Sequence, residues 1–289
     1  MDTEITIEHL SKRFGEMVVY KDFSTAFASG KITVLFGPNG AGKTTLLNIL
    51  AGIERADGGM VTINSETPSA LPRQDFSPRH LVTRFGVTPS VSRKISSSTL
   101  GVRTNEATSY VFQNYRESLL PWRNAFANLA FPLELQRMSR EKIKRQIGEL
   151  LAEFPVDFDL EKYPYELSGG QQQLLSFLRA IITKPTLLLL DEPFSALDYE
   201  NNLRLREYLL RYNERTRGTV LLVTHDIEEA VHLGHEIAII SRKPTQIVER
   251  IENPLLRQLA DPRTLATLSS EAFHQTRNRV LGAFQRALR

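Results

Sequence analysis

The apolar run from Ile32 to Phe36 stops at Gly37, Pro38, Asn39, Gly40, Ala41, Gly42, Lys43, Thr44 and Thr45; apolar residues then return at Leu46, Leu47, Ile49 and Leu50 with helical spacing. This order of strand, glycine-rich turn and helix restricts the fold more than any other part of the chain. Glycines let successive backbone N–H groups turn inward around an anion, and the helix N-terminus adds its partial positive charge. The spacing, a glycine, four residues, then Gly-Lys-Thr, is that of a phosphate-binding loop. In such a loop the Lys43 ammonium reaches the terminal phosphates of a nucleotide and the Thr44 hydroxyl can ligate Mg2+. Gly52 marks the helix stop.

The rest of the chain reads as the α/β class that such a loop needs. Ile5 and Ile7 alternate with polar residues, Val18 to Tyr20 form a short run, and Gly30 with Lys31 marks a turn before Ile32, so the N-terminal part is expected to be strands. Residues 61–63 and 110–113 add short strands, while 124–154 and 171–182 read as helices. Three β-type runs at 186–190, 219–223 and 236–240 are separated by helical segments, the mark of a parallel sheet. Residues 65–108 differ: they are rich in Ser, Thr, Pro and Arg and carry Arg73, Arg79, Arg84, Arg93, Lys94 and Arg103. A surface insertion is expected there, with a basic contact loop as the alternative. Near the C-terminus Leu281, Phe284 and Leu288 share a helical face close to Arg277, Arg279, Arg286 and Arg289. That tail is expected to pack on its own domain, with a membrane surface or a partner as the alternative.

Composition narrows the function further. With 289 residues, 41% apolar and 24% charged, the chain can bury a sizeable core, and wholesale disorder is excluded. It has no cysteine, which excludes disulfides, thiolate zinc sites and a cysteine nucleophile. The formal charge of +3 is too small to argue for nucleic acid. No apolar run approaches the roughly 18 residues needed to cross a bilayer, and the acidic, alternating N-terminus is unlike an export signal. The chain is therefore expected in the cytosol, with any membrane role supplied by a partner.

Two further motifs carry chemistry. Leu187 to Leu190 run into Asp191 and Glu192, placing carboxylates at the C-terminal edge of a buried strand, where ligands of open α/β sheets sit. Asp191 there would hold Mg2+ through water, and Glu192 would orient or activate an attacking water. Ser168, Gly169, Gly170 and Gln171 follow Leu167; Ser168 is a good N-cap whose two glycines leave helix N–H groups open.

In this order the motifs resemble the nucleotide-binding subunit of ABC transporters over about residues 3–250. Val111, Phe112 and Gln113 stand where that family has its Q-loop, Ser195 to Asp198 match its D-loop, and Val223, Thr224, His225 and Asp226 match its H-loop. The resemblance implies an α/β P-loop cassette with a RecA-like core, an antiparallel β subdomain and a helical signature subdomain. It places the cassette at residues 1–245, with the insertion at about 65–108 and the helical part at about 114–180, and a short, partly helical extension at 246–289. It further implies ATP and Mg2+ as cofactors. Glu192, His225, Gln113 and Lys43 would be catalytic, and Thr44, Gln113 and Asp191 would hold the metal. Phe14 would stack on adenine, with a core aromatic as the bland alternative; His225 would meet the γ-phosphate, with a buried strand-end histidine as its alternative. The residues from Gly37 to Thr45 would bind one nucleotide. Ser168, Gly169, Gly170, Gln171 and Asp198 would complete the nucleotide site of a second ATPase subunit, the two copies standing head to tail.

The partners implied are that second subunit, transmembrane permease subunits and, indirectly, an extracytoplasmic solute-binding protein, with no nucleic acid. The chain would then lie peripherally on the cytoplasmic face of the membrane. Leu119, Leu120, Pro121, Trp122 and Arg123, followed by Asn128 and Phe131 to Leu133, resemble importers of the nitrate, sulfonate and taurine type; systems for thiamine precursors are related. Two departures stand out. The stretch from Lys43 to Gln113 is longer than the family's, which the basic insertion explains, and the tail is too short for the large regulatory domain of some sugar importers. A soluble, non-transport ABC ATPase acting in translation or repair is the rival reading. The single phosphate loop and the lack of heptads and cysteines argue against it. Intact Lys43, Asp191, Glu192 and His225 argue against a non-hydrolysing regulatory subunit.

Overall fold

A computed structural model describes residues 3–65, 102–104, 108–195, 197–255 and 270–288. Two sheets organise them. The smaller has the order β2-β1-β4-β5, built from β1 (Thr3–Phe14), β2 (Met17–Phe27), β4 (Gly58–Ser65) and β5 (Val102–Thr104). The larger has the order β10-β9-β3-β8-β7-β6, from β3 (Ile32–Phe36), β6 (Thr108–Val111), β7 (Leu187–Asp191), β8 (Thr219–Thr224), β9 (Glu236–Ile240) and β10 (Ile247–Glu252). Its four inner pairings, β9–β3, β3–β8, β8–β7 and β7–β6, are all parallel, while β10 closes the edge antiparallel.

The side-chain alternation of β3, β7 and β8 explains why the apolar runs are continuous. Val34, Leu188, Leu190, Val220 and Leu222 enter one core with the helical layer. Leu35, Leu187, Leu189, Leu221 and Val223 enter a second core with Ile5, Ile7, Phe23 and Phe27 of the small sheet. Strands buried on both faces need apolar residues at every position. Each such aliphatic side chain contributes about 1.5–3 kcal/mol on burial. The helix α1 (Lys43–Leu50) lies in the second core through Leu46, Leu47, Ile49 and Leu50.

The helical layer comprises α2 (Tyr115–Ser118), α3 (Ala125–Leu135), α4 (Arg140–Glu153) and α5 (Gly169–Ile181); α6 (Tyr199–Thr216), α7 (Ile227–Leu233) and α8 (Glu271–Ala287) cover the sheet. The continuous helix expected over 124–154 is two. Arg137 turns left-handed at φ 57°, and Ser139 starts α4 by accepting the Lys142 N–H. The apolar spacing carries across the break, which is why periodicity alone missed it.

Three other differences concern edges and faces. The antiparallel small sheet ends in a parallel pair, Val61 facing Val102 and Ile63 facing Thr104. Val102 to Thr104 fall within the expected insertion, whose positions 66–101 and 105–107 lie outside the described residues. The strand expected over 110–113 ends at Val111, so Phe112 and Gln113 stand beyond the sheet. The tail helix α8 does pack on α7, β9 and β10. Its buried stripe, however, is Phe273, Thr276, Val280, Ala283 and Ala287 rather than Leu281, Phe284 and Leu288. Phe284 sits at the boundary, its ring edge-on to Phe36 at 5.1 Å, while Leu281 and Leu288 remain over one-third exposed. Small residues on the covered face let the helix approach the sheet closely, and this turns the larger side chains outward.

Candidate functional site

β3 and β7 lie on either side of β8, so their C-terminal ends bring the glycine loop and the Asp191–Glu192 turn to the same sheet edge. Gly42 takes φ 98°, where a Cβ would come within 2.6 Å of Val19 Cγ1, so only glycine fits the step into α1. Two hydroxyls pin the loop from outside. Tyr20 donates to the Gly42 carbonyl at 2.9 Å, and Thr245 donates to the Ala41 carbonyl. Lys43 folds back over the loop, its Nζ donating to the carbonyls of Gly37 at 2.8 Å and Pro38 at 3.0 Å. Burial pulls the Lys43 ammonium below the ordinary lysine range, while the charges of Glu192 and Asp191 pull it back up.

Asp191 is 2% exposed. Its Oδ2 accepts from the Tyr110 hydroxyl at 3.3 Å, the Thr44 side chain also hydrogen-bonds the carboxylate, and Oδ1 is buried without a hydrogen-bond partner. Burial raises the Asp191 carboxyl above the usual range, against the hydrogen bond from Thr44. A buried carboxylate oxygen left open beside a threonine hydroxyl and an anion cradle is a fitting donor set for Mg2+, a hard cation that prefers oxygen.

Glu192 turns left-handed at φ 47°, which costs a residue of this kind about 1–2 kcal/mol. The turn is held by its N–H donating to the Val223 carbonyl at 2.9 Å and by the Ser195 hydroxyl donating to the Glu192 carbonyl at 3.1 Å. Its carboxylate is thereby aimed at two residues from elsewhere in the chain. Gln113 Nε2 donates to Oε2 at 2.9 Å, and His225 Nδ1 lies 3.2 Å from Oε1. The structure thus brings together Lys43, Thr44, Gln113, Asp191, Glu192 and His225. Gln113 sits on Glu192, whereas Asp191 takes its hydrogen bonds from Tyr110 and Thr44.

A family model described as ABC transporter matches residues 20–195. The chain belongs to the ABC transporter family. Among its relatives, the taurine import ATP-binding protein TauB of Pseudomonas putida is 32% identical over 96% of this chain and 94% of its own length. The sulfate/thiosulfate import ATP-binding protein CysA of Ralstonia nicotianae is 37% identical over 86% of this chain, which spans 59% of that relative. The chain thus covers about three-fifths of the length of the sulfate/thiosulfate relatives it matches. A dimeric ABC transporter cassette, MJ0796, superposes with a TM-score of 0.65 at 25% identity, covering 88% of this chain and all of that one. The same cassette in a post-hydrolysis state bound to ADP and Pi gives 0.64 at 26% identity.

The other residues expected in this ABC cassette's site make contacts of their own. Ser168 caps α5 in a capping box: its hydroxyl accepts the Gln171 N–H at 3.2 Å, and Gln171 Oε1 accepts the Ser168 N–H at 3.0 Å. Gly170 approaches Asn201 so closely that a Cβ would stand 2.9 Å from its Nδ2. Asn201 in turn donates through Nδ2 to Asp198 at 2.8 Å, and Asp198 caps α6 through the Asn201 N–H. The Asn201 backbone hydrogen bond, first, holds the Asp198 carboxyl below its usual range. Gly170 and Asp198 therefore meet through Asn201. Phe14, at the end of β1, is 47% exposed, with the Lys12 ammonium 4.7 Å from its ring centre. Trp122 is 66% exposed at a turn anchored from below by buried Asn128, which bonds the Leu120 N–H and the Arg123 carbonyl.

Sequence reading missed Tyr20, Tyr110 and Thr245. Tyr110 was reachable from strand register: it pairs with Leu189, two residues before Asp191 and so on the same face of the sheet. Tyr20 and Thr245 carry no local signal, because each meets the loop only through tertiary packing.

Proposed function

We propose that the chain is the ATP-hydrolysing subunit of an ABC importer, with Mg2+ as the metal and separate permease subunits as the path for the solute. The convergence of Gln113 and His225 on Glu192, next to Lys43 and Asp191, carries this reading. The cradle from Gly37 to Thr45 binds the phosphates, with Lys43 turning from the Gly37 and Pro38 carbonyls to phosphate oxygens. Thr44 and Asp191 would hold Mg2+, which would supply positive charge beside the phosphates. Glu192 accepts a proton from water as its oxygen attacks the γ-phosphorus, the bond to the β–γ bridging oxygen breaks, and ADP leaves with phosphate. Gln113 and His225 hold the Glu192 carboxylate and line the γ-phosphate end, and the exposed Phe14 ring supports the adenine.

Ser168 to Gln171 and Asp198 serve the nucleotide of a second ATPase subunit, so one chain is half of each site. The dimeric form of the MJ0796 cassette supports this. Exposed Trp122, above the segment that follows Gln113, faces a permease at the cytoplasmic membrane surface; among the described residues no helix is long and apolar enough to cross a membrane. The near full-length match to a taurine import protein supports a small solute of the nitrate, sulfonate or taurine kind. Import-protein relatives weigh against a soluble, non-transport role.

The test is Glu192→Gln. ATP binding should persist while hydrolysis falls about 10²–10⁴-fold, the usual worth of a general base. Undiminished turnover would remove Glu192 from the reaction.

A further inference from the structure

Tyr110 is 4% exposed on β6, and its ring does more than fill the core. Parallel pairing of β6 with β7 sets Tyr110 opposite Leu189, so its hydroxyl reaches one strand across and two residues up to Asp191. There it occupies Oδ2 at 3.3 Å, while Oδ1 of the same carboxylate is buried and open. The Tyr110 ring also meets Phe112 at 4.2 Å between centres, and Phe112 immediately precedes Gln113. We infer that Tyr110 is a positioning residue: its hydroxyl fixes the Asp191 rotamer so that Oδ1 is presented to the divalent cation. The inference rests on the assignment of Asp191 to the metal.

A buried carboxylate with one anchored and one open oxygen has little rotational freedom, so its open oxygen is preorganised for a metal or a metal-bound water. Without the Tyr110 hydroxyl, the carboxylate keeps only its contact with Thr44, can turn toward Lys43 and must be reoriented on binding. Phenylalanine at 110 keeps the ring, its burial and its contact with Phe112, and removes only the donor.

The experiment compares wild type with Tyr110→Phe, measuring Mn2+ affinity by electron paramagnetic resonance in the presence of ADP, and ADP affinity in EDTA. A hydrogen bond to a charged group is worth roughly a tenfold change in affinity. Tyr110→Phe should bind Mn2+ about tenfold more weakly with metal-free ADP affinity unchanged. In ATPase assays the half-saturating Mg2+ concentration should rise by a similar factor while kcat at saturating Mg2+ stays within about twofold. Equal Mn2+ affinity in the two proteins would overturn the inference. A parallel loss of metal-free ADP affinity would also overturn it, by exposing a general structural defect. If wild type takes up no Mn2+ with ADP, the reading of the metal site itself is wrong and the inference falls with it.

Discussion

Glu229→Ala puts a number on how the His225 turn is held. Glu229, on α7, and Arg206, on α6, are 7% and 9% exposed, and Nη2 of the arginine lies 3.5 Å from Oε1 of the glutamate. The other oxygen, Oε2, accepts from the Thr224 hydroxyl at 2.5 Å, and that hydroxyl accepts the Asp226 N–H at 3.0 Å. One carboxylate thus ties α6, whose cap is Asp198, to the three-residue turn bearing His225. Burial raises the Glu229 carboxyl above its usual range, and Thr224 and Arg206 pull it back. Removing the carboxylate strands a guanidinium whose Nε already lacks a partner, over the ring of Phe194. Breaking a buried pair in this way costs about 3–5 kcal/mol, and the lost acceptor of Thr224 adds about 1 kcal/mol. At 3.5 Å the pair is on the long side, so the low end of its range applies and the whole loss is about 4 kcal/mol, of a total stability of roughly 5–15 kcal/mol. Urea denaturation of Glu229→Ala, Arg206→Met and the double variant Arg206→Met/Glu229→Gln measures this. The double variant should recover most of the loss, because no charge is left stranded. A loss below about 1 kcal/mol for Glu229→Ala, or no recovery in the double variant, would show that the buried pair does not hold the turn.

Two predictions concern the metal carboxylate and the tail. Burial raises the folded pKa of Asp191 above its unfolded value, so the protonated form favours folding. The metal-free protein should lose stability as pH climbs from the ordinary carboxylate value near about 4 through the raised one; Asp191→Asn should flatten that stretch, melt higher than wild type at neutral pH without metal, and gain less from Mg2+ with ADP, as followed by thermal scans. In α8, Phe284→Ala should cost about 2 kcal/mol, less than a fully buried Phe because the ring is half covered, whereas Leu281→Ala, at 39% exposed, should cost under about 0.5 kcal/mol in the same denaturation assay.

Much of the cassette was legible because its chemistry is local. The loop from Gly37 to Thr45 declares a strand before it and a helix after it, and the run into Asp191 and Glu192 declares a buried strand and an acidic edge. The sheet order that brings them together was not local. It depends on β3 and β7 flanking β8, and on crossovers that leave no trace in spacing. The break at Arg137 was hidden because apolar periodicity survives it, and the stripe of α8 was misjudged because Thr276, Ala283 and Ala287 join Phe273 and Val280 on the covered face in place of Leu281 and Leu288. Gln113, expected among the catalytic and metal-holding residues, places its amide on Glu192, since β6 ends at Val111 and the chain leaves the sheet toward that turn. The partners of the loop, Tyr20 and Thr245, belong to segments whose own patterns say only strand and turn.

Mixing two inactive variants tests the proposal that two chains build each nucleotide site. Lys43→Ala removes the phosphate grip of its own chain, and Ser168→Arg blocks the loop offered to the other. Each variant alone should hydrolyse almost no ATP. Mixed in equal amounts they should recover about one quarter of wild-type turnover, since half of the random dimers carry one intact site out of two. No recovery on mixing, with both variants folded and exchanging subunits, would contradict the shared site.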